Sequence, residues 1–299
     1  MNRFWILFLF IITNFFLLFQ HANAQHHKHS LMLWCEAGYS AFFTQWEGLK
    51  NMGNIGSGIG FGYNALFWNH FIVAVGVEYV SLNSSTRPTN LVFYKDLIDT
   101  EEDEYVMRYS LQKFVQLDRT HNVFVPIYVG FQTAQRKTNF FFQAGGKIGY
   151  MFSANYNTKM TSYTTVGIYD RFFDHFENMP NHFFDTKKYS KREELNLNRL
   201  QAVVSLELGV ELASIFPKNA MRISFFADYG VLNRQSSEMR QMQNELVAFE
   251  QIPNLIHVNS LYETNLKRSA NTTSFFTGVK ITLLFDVTRS SNCAPKRKK

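Results

Sequence analysis

Apolar and polar residues alternate with period two through eight stretches of this chain, most clearly in residues 122–132 and 140–153. In the first, Val123, Val125, Ile127, Val129 and Phe131 share one face, opposite Phe124, Pro126, Tyr128, Gly130 and Gln132. In the second, Phe140, Phe142, Ala144, Ile148, Tyr150 and Phe152 alternate with Gln143, Gly145, Lys147, Gly149 and Ser153. Successive side chains of a strand point to opposite faces, so each stretch has one greasy face and one mixed face. A soluble sandwich strand buries the first face and wets the second. Here the second face holds glycine, glutamine and lysine, and aromatics gather toward the strand ends. That is the pattern of a membrane-spanning barrel strand, with lipid outside and a polar interior.

The same alternation predicts strands at 31–43, 57–68, 71–82, 200–212, 221–230 and 274–286. In the second of these, Gly56, Gly58, Gly60 and Gly62 fall opposite Ile59, Phe61, Tyr63 and Phe67. A glycine stripe leaves room in a narrow, curved sheet for large side chains from neighbouring strands. No phosphate-loop signature accompanies it. Short connections fall at Asn69-His70, 133–139 and 217–219, and long ones at 83–121, 154–196 and 233–271. Within the long ones, 105–117 extends the strand that follows, and 236–249 is expected to be helical. Short turns alternating with long loops, in an even count of strands, predict an all-β, eight-stranded antiparallel transmembrane β-barrel of up-and-down topology. Its long loops are extracellular and both termini periplasmic.

The start of the chain reads as an export signal. A short basic Met1-Asn2-Arg3 precedes a nearly continuous apolar run over 4–18, and Ala22-Asn23-Ala24 offers a small-x-small cleavage pattern. The expected organisation is a signal peptide at 1–24, a leader at 25–30, the barrel at 31–287 and a basic periplasmic tail at 288–299. No later run approaches the roughly 20 apolar residues of a spanning helix, so residence in a membrane falls to the strands.

Composition changes this picture little. The formal charge of +6 comes partly from Lys296-Arg297-Lys298-Lys299, and export argues against nucleic acid as its partner. His26, His27 and His29 could form a metal-binding arm, but no further ligands are spaced around them, so a leader segment is the better reading. Cys35 falls on the lipid-facing side and Cys293 near the C-terminus; both are expected as free thiols. No cofactor or metal is expected.

The candidate chemistry lies in two places. Alternation puts Glu36, Glu78, Glu207, Glu211, Asp228 and Asp286 inside the barrel with Lys147, Arg222 and Lys280. Eight strands enclose a space that side chains just fill, so these charges are expected to pair into an ionic plug, since an unpaired buried charge is very costly. The competing reading is a narrow conduction path; an open porin needs about twice the strands. The second place is an extracellular loop carrying Tyr169, Arg171, Phe172, Phe173, His175 and His182, either a recognition surface or packing over the barrel mouth. Asp174 beside His175, and Asp185 near His182, supply residue types for a water-activating pair, with no hydrolase signature around them.

The Phe124-Val125-Pro126-Ile127 strand followed by Ala144-Gly145-Gly146-Lys147-Ile148-Gly149-Tyr150 resembles the outer-membrane β-barrel proteins of the Bacteroidetes, the group that includes PorT-like barrels. That resemblance implies a role in secretion across the outer membrane or in gliding, and it brings no catalytic residues. The expectation is thus a non-enzymatic outer-membrane barrel acting in protein–protein interaction or assembly, with outer-membrane lipids and other envelope proteins as partners. A hydrolase acting on lipid A or peptides, and a narrow solute channel, are the alternatives.

Overall fold

The computed structural model describes residues 28–44, 49–88, 91–99, 102–133, 138–169, 174–182, 184–216, 219–235, 247–249, 256–261 and 272–287. The expected signal peptide, the first residues of the leader, the basic tail and Cys293 lie outside these. In chain order the strands are β1 (Lys28–Thr44), β2 (Leu49–Phe67), β3 (Phe71–Pro88), β4 (Leu91–Ile98), β5 (Glu104–Gln112), β6 (Val115–Gln132), β7 (Thr138–Tyr169), β8 (Asp174–Phe176), β9 (Thr186–Glu194), β10 (Leu200–Phe216), β11 (Asn219–Gly230), β12 (Val247–Phe249), β13 (Ile256–Val258) and β14 (Thr272–Asp286). A single 3-10 turn, Pro180–His182, follows β8.

Eight of these form a closed antiparallel ring: β1-β2-β3-β6-β7-β10-β11-β14, with β14 pairing back onto β1. Closure leaves no edge in the ring, which is what a sheet in lipid requires. Its outer wall is apolar throughout the middle of each strand. Ile59, Phe61, Val129, Ile148, Leu208 and Phe225 are all more than half exposed, an apolar area far beyond the few hundred Å² a water-soluble surface carries. Aromatic rings bound this belt at both ends. At the turn end Trp68, Phe71, His70 and Phe131 stack edge-to-face or in parallel. At the other end Tyr79, His121 and Phe152 form a second cluster. From Phe71 to Tyr79 β3 is roughly 26 Å long, which at the roughly 35–45° tilt of a barrel strand spans roughly 20 Å, near the ~25 Å apolar height of an outer-membrane-type barrel. The wall is a lipid-facing belt. Among the described residues no helix is long and apolar enough to cross a membrane; strands make the crossing.

The tight turn between β2 and β3 centres on Trp68 and Asn69 rather than on Asn69-His70. Both have positive φ, 50° and 61°, and with His70 they make the three-residue connection between the paired Phe67 and Phe71, closed by His70 N donating to Phe67 O at 3.0 Å.

Beyond the upper aromatic cluster the described parts of the long connections are mostly β-structure. β7 runs for 32 residues and becomes the spine of a head, pairing with β6 and then β5 on one side and with β9 and β8 on the other. The 83–121 connection is a hairpin, β4–β5, flanked by extensions of β3 and β6. The helix expected over 236–249 is not seen at its described end: Val247–Phe249 is a strand paired with β13. The rest of that stretch lies outside the described residues.

Candidate functional site

The barrel interior is organised by which residues point inward at each height. Nearest the turn end, Arg222 is 1% exposed. Its Nε donates to Glu211 Oε2 at 2.8 Å, its terminal nitrogens to Asn64 Oδ1 at 3.4 Å and Gln132 Oε1 at 3.2 Å. The guanidinium lies over the Phe141 ring, 4.8 Å from its centroid. One step higher, Lys280 Nζ meets Glu207 Oε2 at 3.0 Å and sits between the faces of Trp34 and Tyr128. Ser224 donates to the other Glu207 oxygen at 2.7 Å. Next, Lys147 Nζ bridges Glu78 Oε1 and Asp228 Oδ2, 2.7 Å to each, while Trp34 Nε1 donates to Glu78 Oε2 at 3.3 Å. Each cation is thus held by carboxylates, and Arg222 and Lys280 also by aromatic faces, as desolvated charge requires.

Glu36 is the exception. Neither of its buried carboxylate oxygens has a hydrogen-bond partner, and it lies with Glu78 and Asp228 in a trio whose carboxylate oxygens are within 4.8 Å of one another. These three are the residues that could hold a cation, but the Lys147 ammonium already occupies the seat between Glu78 and Asp228.

The glycine stripe of β2 makes this arrangement fit. A Cβ on Gly60 would strike the Trp34 ring, and one on Gly58 would come within 2.7 Å of Glu36 Oε1. Without side chains there, the Trp34 indole lies over β2 and reaches Glu78 on β3, with Lys280 of β14 over its ring. The space left beside it measures about 10 Å³, no more than one water.

An aromatic cluster, which alternation had not singled out, borders the ionic layers: Phe42, Phe124, Phe226 and Phe276 belong to one buried cluster, with Phe226 edge-on to Phe276 at 4.7 Å. Phe226 stands one inward position nearer the turn end than Asp228 on β11, and Phe276 is register-paired with Asp228, so rings and ion pairs overlap in height. The lumen is therefore filled by ion pairs in its lower part and by ion pairs and rings together above. Beyond them Arg234, fully buried, stacks on Phe42 at 4.4 Å and reaches Thr120 Oγ1 at 3.5 Å. Arg234 follows β11 in a non-strand stretch, where no periodicity marks a residue as inward; its contacts were not readable from the chain.

Of the nine charges expected inside, eight are buried there. Asp286 is the correction: it is exposed, because it is the last residue of β14, paired with Ser30 at the open rim. Cys35 is exposed on the outer wall, as its alternation required.

In the head, Tyr169 ends β7. Its ring stacks on Tyr105 at 4.9 Å and meets Phe176 edge-on at 5.4 Å, and its hydroxyl donates to Asp99 Oδ2 at 3.2 Å. Burial first, then the hydrogen bond to Asp99 and its charge, push that hydroxyl up to about 12. Tyr169 is half-buried and packs within the head. His175 lies on β8, register-paired with Ile168, its side chain exposed. His182 sits on the 3-10 turn; its side chain, like that of Asp174, lies outside the description, as do Arg171, Phe172 and Phe173. The open side of the head is β4. Among the described residues it pairs only with β5, and Val92, Tyr94 and Ile98 on it are exposed.

No family model and no curated protein matches the chain. Among solved structures it is similar to two of Ail, the attachment invasion locus protein of Yersinia pestis. The first has 9% identity and a TM-score of 0.30; the second, in complex with the heparin analogue sucrose octasulfate, has 8% and 0.25. Each covers 86% of this chain and 99% of the other. What the barrel does is therefore argued from its own geometry.

Proposed function

We propose that the chain is a non-enzymatic outer-membrane barrel that serves as a rigid anchor for a protein-binding head, acting in interaction or assembly at the cell surface. A secretion or surface-attachment system, in the manner of the PorT-like barrels its β6–β7 hairpin resembles, is the setting that reading carries. The observation behind it is the contrast between a lumen filled by paired charges and rings and a head that ends in an open strand. An edge strand presents unpaired backbone N–H and C=O groups, to which an extended segment of another protein adds as a further strand. On β4 the alternate exposed side chains Val92, Tyr94 and Ile98 offer such a segment apolar contact.

The test is a mild-detergent pull-down of the tagged chain from its own outer membrane, beside a Val92→Lys/Tyr94→Lys variant that puts charge on the edge. Stoichiometric envelope proteins recovered with the wild type and lost with the variant support the reading. Recovery of the barrel alone from both sinks it.

A further inference from the structure

We propose that the outer wall of β3, β6, β7 and β9, just above the upper aromatic cluster, is a docking site for the phosphate of a lipid headgroup, held by Arg119 and Arg192. The inference rests on the outer-membrane reading, since it needs a bilayer at that height.

Register fixes the layout. Asn83 on β3 lies beside Arg119 on β6, which lies beside Asn155 on β7 and then Glu194 on β9. One row higher come Ser85, Leu117, Asn157 and Arg192. Neighbouring strands are about 4.8 Å apart and one row is roughly 6.8 Å of rise. The two arginines thus stand two strands and one row apart, within reach of a common group between them. A groove of about 560 Å³ opens there, lined by Asn54, Asn83, Arg119, Asn155, Asn157 and Arg192. Arg119 Nε donates to Asn83 Oδ1 at 2.9 Å, which steadies the guanidinium. Neither Arg119 nor Arg192 joins an ion pair among the described residues.

Three further observations select an anionic amphiphile as the occupant. The first is charge: Lys50, Arg87, Arg119, Lys159, Lys188 and Arg192 are all exposed on this wall, against the exposed carboxylate of Glu194 and the buried one of Asp118, which also lines the groove. The second is what lies directly beneath. Tyr79, His121 and Phe152 stack with centroids 6.0 to 6.1 Å apart, and the Tyr79 hydroxyl is 2.6 Å from His121 Nδ1. Such amphipathic rings settle where acyl chain gives way to headgroup. The third is continuity: below the rings the same strands present Val77, Val123, Val125 and Ile148 to lipid. An acyl chain lying on that wall carries its headgroup straight into the groove. Guanidinium groups suit phosphate because their planar forks bind two oxygens at once, and amide side chains add neutral donors. Basic side chains at an anionic membrane surface strengthen binding additively.

The experiment is native mass spectrometry of the purified, delipidated chain titrated with bisphosphorylated lipid A, with the same lipid stripped of its phosphates, and with inorganic phosphate alone. The wild type should retain bisphosphorylated lipid A and lose most of that retention to the stripped lipid. Arg119→Gln/Arg192→Gln should weaken retention roughly tenfold or more. Both side chains lie on the exposed wall, so the variant should keep the heat-modifiable gel mobility of the folded barrel. Equal retention by variant and wild type, or equal retention of the stripped lipid, overturns the proposal. Inorganic phosphate binding as tightly as the lipid overturns the lipid source. A density-gradient fractionation run in parallel separates the two readings. A chain found in the outer membrane that keeps no lipid sinks this inference and leaves the anchor standing.

Discussion

Single residues in the lumen have unequal weight, and the ion pairs say which matter. Lys147 is shared by Glu78 and Asp228 at 2.7 Å each, so removing it strands two buried carboxylates. Lys147→Met is expected to lower unfolding stability by about 3–5 kcal/mol, the cost of breaking a buried pair from one side. Glu36 is the opposite case, since five carboxylates share the ionic layers with three cations and Glu36 has no hydrogen-bond partner. Glu36→Gln replaces a carboxyl that has no hydrogen-bond partner with a neutral amide of the same shape beside Glu78 and Asp228, and should leave stability unchanged or raise it. Urea unfolding of vesicle-inserted protein, followed by tryptophan fluorescence, measures both; a loss for Glu36→Gln as large as that for Lys147→Met would refute the ranking. Gly60 is decided by sterics instead. A Cβ there meets the Trp34 ring, and overpacking of that kind costs roughly 1–3 kcal/mol, so Gly60→Ala should shift the same urea midpoint downward. Much of this was legible in the chain. Alternation alone placed Glu36, Glu78, Lys147, Glu207 and Arg222 on inward positions, and the glycines of β2 announced that something large lay across them. It did not say which cation meets which carboxylate, because pairing depends on barrel shear, and it could not exclude Asp286, whose inward parity ends at a rim.

At the scale of elements, the head is a set of strands laid on β7 and tied by aromatic rings. Its lock is the Tyr169–Asp99 hydrogen bond at 3.2 Å, made between the end of β7 and the β4–β5 hairpin. The Tyr169 hydroxyl, ordinarily near 10, is pushed up to about 12, so folding favours its protonated form. The lock is complete below pH 10 and is lost as pH rises through 12. Protease sensitivity of the head should rise across that window, and in Asp99→Asn the Tyr169 absorbance titration should move part of the way back toward 10, since burial still contributes. A titration unmoved by Asp99→Asn would break the assignment. The strands of the head were harder to read than those of the ring for a physical reason. In β5 the alternation of Tyr105, Met107, Tyr109 and Leu111 is clear, but residues 105–117, expected to extend the strand that follows, form β5 and the start of β6 with a break at Lys113-Phe114, where Lys113 has a φ of 51°. In β9 the sequence T-K-K-Y-S-K-R-E-E has one aromatic residue and no aliphatic ones, so period two leaves no trace. β9 is held by backbone pairing to β7 and by contacts such as Tyr156 donating to Glu193 at 2.6 Å, which hydrophobic patterning does not record.

At the scale of the whole molecule, the question is whether the ring transports anything or only holds the head in place. Three ionic layers, at Arg222, Lys280 and Lys147, overlap at their upper end with a cluster of rings, Phe42, Phe124, Phe226 and Phe276. The two kinds of layer block by different physics. Charge pairs obstruct by filling space, but they are polar, and water could thread between them if one pair were deleted. Apolar rings block by refusing water. Deleting one pair as a unit, Arg222→Ala with Glu211→Ala, leaves no orphaned charge and opens space in the lowest layer, while the rings stay intact. Such a variant should remain electrically silent in a planar bilayer, as should the wild type. Cutting the seal as well, with Phe226→Ala and Phe276→Ala added, should produce brief openings, because continuous water would then need only to pass the remaining layers. Steady single-channel steps from the wild type would reject the anchor reading outright. Openings from the Arg222/Glu211 variant alone would show that the charges, not the rings, close the barrel.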